Sequence, residues 1–146
     1  MYDRVINMRR QRSVRLLEEV DEGVVGLAER TGRDFSSIVN ELLEEALKMR
    51  RIPGIYFADT PSGRTAKVAG SGLGVWEIIM GYRSVDEDWD RLREGYDWLT
   101  EHQLRSALAY AEAYPEEIER RIQRDEQWTP EKIYETYPFM RPPHRE

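Results

Sequence analysis

The stretch RSVRLLEEVDEGVVGLAERTGRDFSSIVNELLEEAL, residues 12–47, decides how this chain is read, because its hydrophobic period changes within it. Ser13, Val14, Arg15 and Leu16 alternate polar and apolar, the period of a short half-buried strand. From Glu18 to Thr31 the period becomes helical, with Val20, Val24, Leu27 and Ala28 on one face. Glu18, Glu19, Asp21 and Glu22 enrich the first turn, where the positive end of the helix dipole favours carboxylates. Gly32 is placed to end this helix in the left-handed conformation. Gly23 and Gly26 weaken it by about 1 kcal/mol each against alanine and suit a point where another helix crosses closely. Asp34 is a good N-cap for a second helix running to about Arg50. That helix carries two adjoining apolar rows, Ile38, Leu42, Ala46 and Val39, Leu43, Leu47. So wide a stripe needs cover on two sides. The preceding helix supplies one, and a second copy of the chain supplies the other.

Outward from this stretch the charge is uneven. The chain of 146 residues has a formal net charge of −6, with 40% hydrophobic and 34% charged residues. Residues 1–17 nevertheless hold Arg4, Arg9, Arg10, Arg12 and Arg15 against Asp3 alone, five positive charges less one negative, a net +4. A basic arm on an acidic body suits nucleic-acid binding at one end, and it also suits a disordered, solubilising tail. No run approaches the ~18 apolar residues of a membrane-spanning helix. Residues 1–7 lack the apolar core of a signal peptide. With no cysteine, neither a disulfide nor a thiolate metal site is available, and a cytoplasmic setting is expected. A unit of about 50 residues buries too little surface to be comfortable alone, which again points to oligomerisation.

The order of parts in residues 12–47 resembles the ribbon-helix-helix family of DNA-binding proteins: basic strand, helix, Thr-Gly-Arg stop, Ser-rich helix start. The resemblance implies that two chains pair their strands antiparallel and lay the ribbon in the major groove. Alternation along the strand then turns Val14 and Leu16 towards the helices, and Gln11, Ser13 and Arg15 towards base edges. Arginine grips guanine, glutamine grips adenine, and serine serves either. At the start of the second helix, free N–H groups suit a phosphate. There the resemblance places Asp34, Phe35 and Ser36, with Arg9, Arg10, Arg12 and Arg33 as further phosphate contacts. Two departures stand out: Leu17 replaces a frequent proline, and Arg12 falls where an inward apolar residue is expected, so the strand is read as starting at Ser13. A strand that pairs only for dimerisation, without DNA, remains an alternative.

Ile52-Pro53-Gly54 punctuates the chain and is read as the domain boundary. Residues 55–58 and 65–69 read as a hairpin around a turn at 59–64. A glycine-rich turn at 70–74 leads into a short apolar helix at 75–80. Ser84 is read as the cap of a helix over 86–94, and Thr100 with Gln103 as a capping box. The helix so opened carries Leu104, Leu108 and Ala111 on one face, and Pro115 starts a last, mostly charged helix. The stretch VAGSGLGVWEIIMGYRSVDEDWDRLREGYDWLTEHQLRSALAYAEAY, residues 68–114, resembles a helix-turn-helix-like antitoxin domain of prokaryotes, partnered with PIN-like nucleases. Tyr96, Leu99, Thr100, Leu104, Ala107, Leu108, Tyr110 and Ala111 carry the match. The turn at 70–75 lacks the family's arginine and proline.

Trp76, Trp89, Tyr96, Trp98 and Tyr110 are read as core rather than as a base-stacking platform, because an acidic domain repels a nucleic-acid backbone. The glycine-rich turn lacks the Gly-Lys-Ser/Thr ending of a phosphate loop. In the last segment Trp128, Ile133, Tyr134, Tyr137, Phe139 and Met140 are too apolar for a free polar tail. They either fold back on their own domain or lie across a partner protein as anchors. Histidines and acids show no metal spacing, and no nucleophile has an evident base, so no enzyme, metal or cofactor is expected.

The fold expected is mainly α with short β elements: an intertwined ribbon-helix-helix dimer over residues 1–51, a small helical domain with a β-hairpin over 55–127, and a tail over 128–146. The function implied by the two resemblances is a VapB-like antitoxin of a type II toxin–antitoxin pair. It represses its own operon through operator DNA and inhibits a PIN-like ribonuclease toxin. The alternative is a stand-alone ribbon-helix-helix repressor with a ligand-sensing or oligomerisation domain.

Overall fold

The computed structural model describes residues 9–126, 131, 132, 135 and 138–140. These residues are mainly helical, with one two-stranded antiparallel sheet. The chain divides into two compact units, Met1–Glu44 and Glu45–Glu146.

In the first unit, α1 spans Glu18–Thr31, with Glu18, Glu19 and Asp21 in its acidic first turn. Gly32, at φ 64°, ends it as expected. The Arg33 N–H reaches back to the Ala28 carbonyl at 3.1 Å, closing the αL stop. Helix α2 spans Phe35–Arg51 and belongs to both units. Asp34 caps it: one carboxylate oxygen accepts the Ser37 N–H at 2.8 Å. The core of the unit is Val24, Ala28 and Ile38, with Leu27 and Val39 packed against it. The close crossing expected at Gly23 and Gly26 is not made among the described residues, since a Cβ at either would meet nothing within 4 Å there.

Residues 9–17 form neither helix nor strand. The strand expected over 13–16 is therefore not formed within one chain. The physical reason is that strand backbone groups need a neighbouring strand, and no described segment supplies one.

In the second unit, β1 (Ile55–Thr60) pairs with β2 (Gly63–Val68), from Ile55 opposite Val68 to Thr60 opposite Gly63. The turn is tighter than the six residues expected, because Gly63 at φ 102° closes it around Pro61 and Ser62. Helix α3 (Val75–Ser84) is longer than the apolar run suggests. Ser84 does not cap the next helix: it is the last residue of α3, its hydroxyl donating to the Gly81 carbonyl at 2.6 Å. Asp88 caps α4 (Trp89–Gly95) instead, accepting the Arg91 N–H. Asp86 and Glu87, both at φ 56°, turn the chain between these helices.

Helix α5 (Glu101–Ala113) opens with the expected capping box of Thr100 and Gln103. Pro115 starts α6 (Pro115–Glu126), where its missing N–H costs nothing. The core joins Ile55, Ala66 and Val68 of the hairpin to Val75, Ile78 and Ile79 of α3, Leu104, Ala107 and Tyr110 of α5, and Ile118 and Ile122 of α6. Tyr110 is completely buried, with Phe57 edge-on at 6.3 Å and its hydroxyl donating to Glu117.

The second unit begins at Glu45, earlier than the break read at Ile52–Gly54. Glu45 accepts hydrogen bonds from Arg64, and Lys48 donates to Glu117 at 3.2 Å, so the last turns of α2 belong with the hairpin and α6. Among the described residues no helix is long and apolar enough to cross a membrane.

Candidate nucleic-acid interface

The basic arm and the start of α2 are the candidate interface. Arg9, Arg10, Gln11, Arg12, Ser13 and Arg15 are all exposed. None of the four arginines takes part in a salt bridge among the described residues. The apolar positions of the same segment are open as well: Val14 is 75% exposed and Leu17 is 76% exposed. Side chains left this bare forgo the gain of burial, about 1.5–3 kcal/mol for a fully buried side chain of this size.

At the start of α2 the geometry sharpens the expectation for Asp34. Its carboxylate is held below the usual range, chiefly by the Ser37 N–H and then by the Ser37 hydroxyl at 2.9 Å, with a smaller pull from the positive charge of Arg9. A depressed acid supports the fold above its unfolded-state value and loses that support as pH falls through the folded one. Ser37 thus carries the cap together with Asp34. The only signal for it in the sequence is its place three residues after an N-cap. Phe35, 40% exposed, and Ser36 lie on the first turn, and the Ser36 carbonyl accepts from the Asn40 amide. Arg33 differs from the other arginines: its guanidinium bonds Glu41 at 2.8 Å, so one fork is already engaged.

Comparison of the chain with family models, with curated proteins and with solved structures gives no match. The reading of this surface therefore rests on its own chemistry.

The structure does not gather the aromatic side chains into one platform. Tyr110 is core; Trp76 and Trp89 are half-buried beneath Arg121 and Arg105 at 4.1 Å and 4.6 Å from the guanidinium carbon; Trp98 is 59% exposed, edge-on to Tyr96. The glycine-rich turn has an architectural role. The Ser71 hydroxyl donates to the Val68 carbonyl and accepts the Leu73 N–H, while Gln103 donates to the Ala69 carbonyl. Among the described residues no three acidic or histidine side chains cluster as metal ligands.

Of the tail residues read as toxin anchors, Trp128, Ile133, Tyr134 and Tyr137 lie outside the described residues. Phe139 and Met140 fall in a short 3-10 turn, Pro138–Met140, where Phe139 is 80% exposed.

Proposed function

We propose that this protein is a dimeric, non-catalytic DNA-binding regulator. Its first unit pairs two copies of residues 13–16 into a ribbon read through Gln11, Ser13 and Arg15. The observation that carries this reading is the coincidence, in one unit, of bare apolar positions and arginines that make no salt bridge among the described residues. Val14, Leu17, Val20, Leu42 and Leu43 are exposed in the same unit as Arg9, Arg10, Arg12 and Arg15. A second copy covers the first set and DNA neutralises the second. The dipole and capped N-terminus of α2 add a place for a backbone phosphate, with Asp34 partly offset by Arg9.

The biological setting that fits is a VapB-like antitoxin. It represses its own operon and holds a PIN-like ribonuclease through the aromatic tail. That half rests on the resemblance of residues 68–114 and on the composition of the tail. Co-expression with the product of the adjacent gene tests it: a stable complex that relieves toxicity is expected, and no complex with no relief overturns it. A second reading, a repressor whose second unit senses a ligand, is favoured by an arginine-lined cleft in that unit.

The DNA half is tested by gel shift against the chain's own upstream DNA. Arg15→Ala is expected to weaken specific binding by roughly 5–150-fold, the equivalent of about 1–3 kcal/mol for a lost bidentate base contact. Its sedimentation as a dimer should not change. Unaltered affinity would remove the base-reading role. Binding of the intact chain should also fall steeply with salt, as neutralised phosphates release counterions.

A further inference from the structure

The second unit holds a cleft of about 170 Å³ between the hairpin turn, the start of α3 and α6. Arg64 comes from β2, Trp76 from α3, and Glu117, Arg120, Arg121 and Arg124 from α6. Two of these charges are committed elsewhere. Arg64 is held by Glu45 and Asp59, and Glu117 accepts from Lys48 and from the Tyr110 hydroxyl. The other three arginines make no salt bridge among the described residues. Arg120 and Arg124, four apart on one helix, share a face, and Arg121 adjoins them. Arg124 is steadied by donating to the Ser62 carbonyl at 3.0 Å across the hairpin turn.

Arg121 is set in place from below. Its guanidinium lies over the Trp76 ring at 4.1 Å from the centroid. The ring in turn lies against Gly74, where a Cβ would sit 2.6 Å from the indole nitrogen. The Arg121 Nε–H is buried and has no hydrogen-bond partner among the described residues. Glu77 lies within electrostatic reach of Arg121 without bonding it. A buried donor is normally satisfied, and clustered guanidinium groups gain most from an oxyanion that several forks can grip at once.

We propose that this cleft binds a small phosphate monoester, with Arg120, Arg121 and Arg124 on the phosphate oxygens. The volume suits one phosphorylated sugar rather than a nucleic-acid duplex. The site lies wholly in the second unit and is independent of the DNA reading of the first.

Titration calorimetry of the full chain with ribose 5-phosphate tests this. Saturable binding of one ligand per chain is expected, with competition by inorganic phosphate and no binding of ribose. Arg120→Gln/Arg124→Gln should weaken it at least ten-fold, while Arg15→Ala leaves it unchanged. No saturable binding, equal affinity in the double variant, or loss in Arg15→Ala would overturn the proposal. So would displacement of ribose 5-phosphate by duplex DNA in Arg15→Ala, which would make the cleft a DNA contact. Should the double variant lose its circular-dichroism spectrum, Arg124→Lys takes its place. Weaker binding then supports fork recognition, and unchanged affinity overturns it.

Discussion

Among the described residues, the first unit buries Val24, Ala28 and Ile38 as its core, while the second buries fourteen apolar side chains, from Ile52 to Ile122, in one cluster. Both are built from well-capped helices: Asp34 caps α2, and Thr100 with Gln103 caps α5. What separates them is where the apolar stripes end up. In α5, Leu104 and Tyr110 are 1% and 0% exposed, whereas in α2 Leu42 and Leu43 are 40% and 58% exposed. Helices of this length take most of their stability from packing rather than from propensity. The described part of the second unit therefore covers most of its apolar stripes, whereas the first unit leaves Leu42 and Leu43 open, which is what the proposed pairing with a second copy would cover.

The largest effect that tests this contrast is a cavity in the second core. Leu104→Ala should cost about 2–5 kcal/mol in urea unfolding followed by tryptophan fluorescence, which reports the second unit because all four tryptophans lie beyond Gly74. An equal shift in the helical signal of α1 would show that the two regions unfold as one, and would break the comparison. Next comes Leu43→Lys. It should leave that fluorescence transition in place and weaken self-association by about ten-fold or more in sedimentation, as a buried leucine is lost from each copy. Unchanged self-association would mean that the bare face of α2 is not covered by a second chain.

A smaller effect is expected at the capping box. Thr100→Ala should destabilise the second unit by about 1 kcal/mol, because the Gln103 N–H loses its acceptor. The smallest concerns Glu77. Burial pushes its carboxyl above the usual range, against the opposing pull of Lys67 and Arg121. A raised acid favours the folded state below its unfolded-state value, and that advantage fades as pH rises through the folded value. Glu77→Gln should therefore be the more stable protein at pH 7, with the difference shrinking towards pH 4 in thermal unfolding. A wild type more stable than the variant at pH 7 would mean that pairing outweighs burial at this side chain.

The sequence by itself determined the local elements. Gly32, Asp34 and Thr100 mark helix ends through bonds that span three or four residues, and Pro115 marks one by its missing N–H, so neighbouring residues are enough to read them. It misplaces one cap: Ser84 reads as the cap of the helix over 86–94, but the α3–α4 connection, with Asp86 and Glu87 at positive φ, puts Asp88 at the N-cap of α4. The arginine arm and its alternation were legible, but a strand is a property of two segments, and residues 9–17 have no second one among the described residues. Tertiary structure alone decided that Glu45 belongs with the hairpin, that Tyr110 closes the core, and that Arg121 lies on Trp76 beside Arg124. Those relations join residues 19, 53 and 45 positions apart, as in Glu45–Arg64, Phe57–Tyr110 and Trp76–Arg121. Local propensity acts over one helical turn, so only the packing of the whole unit brings such residues together.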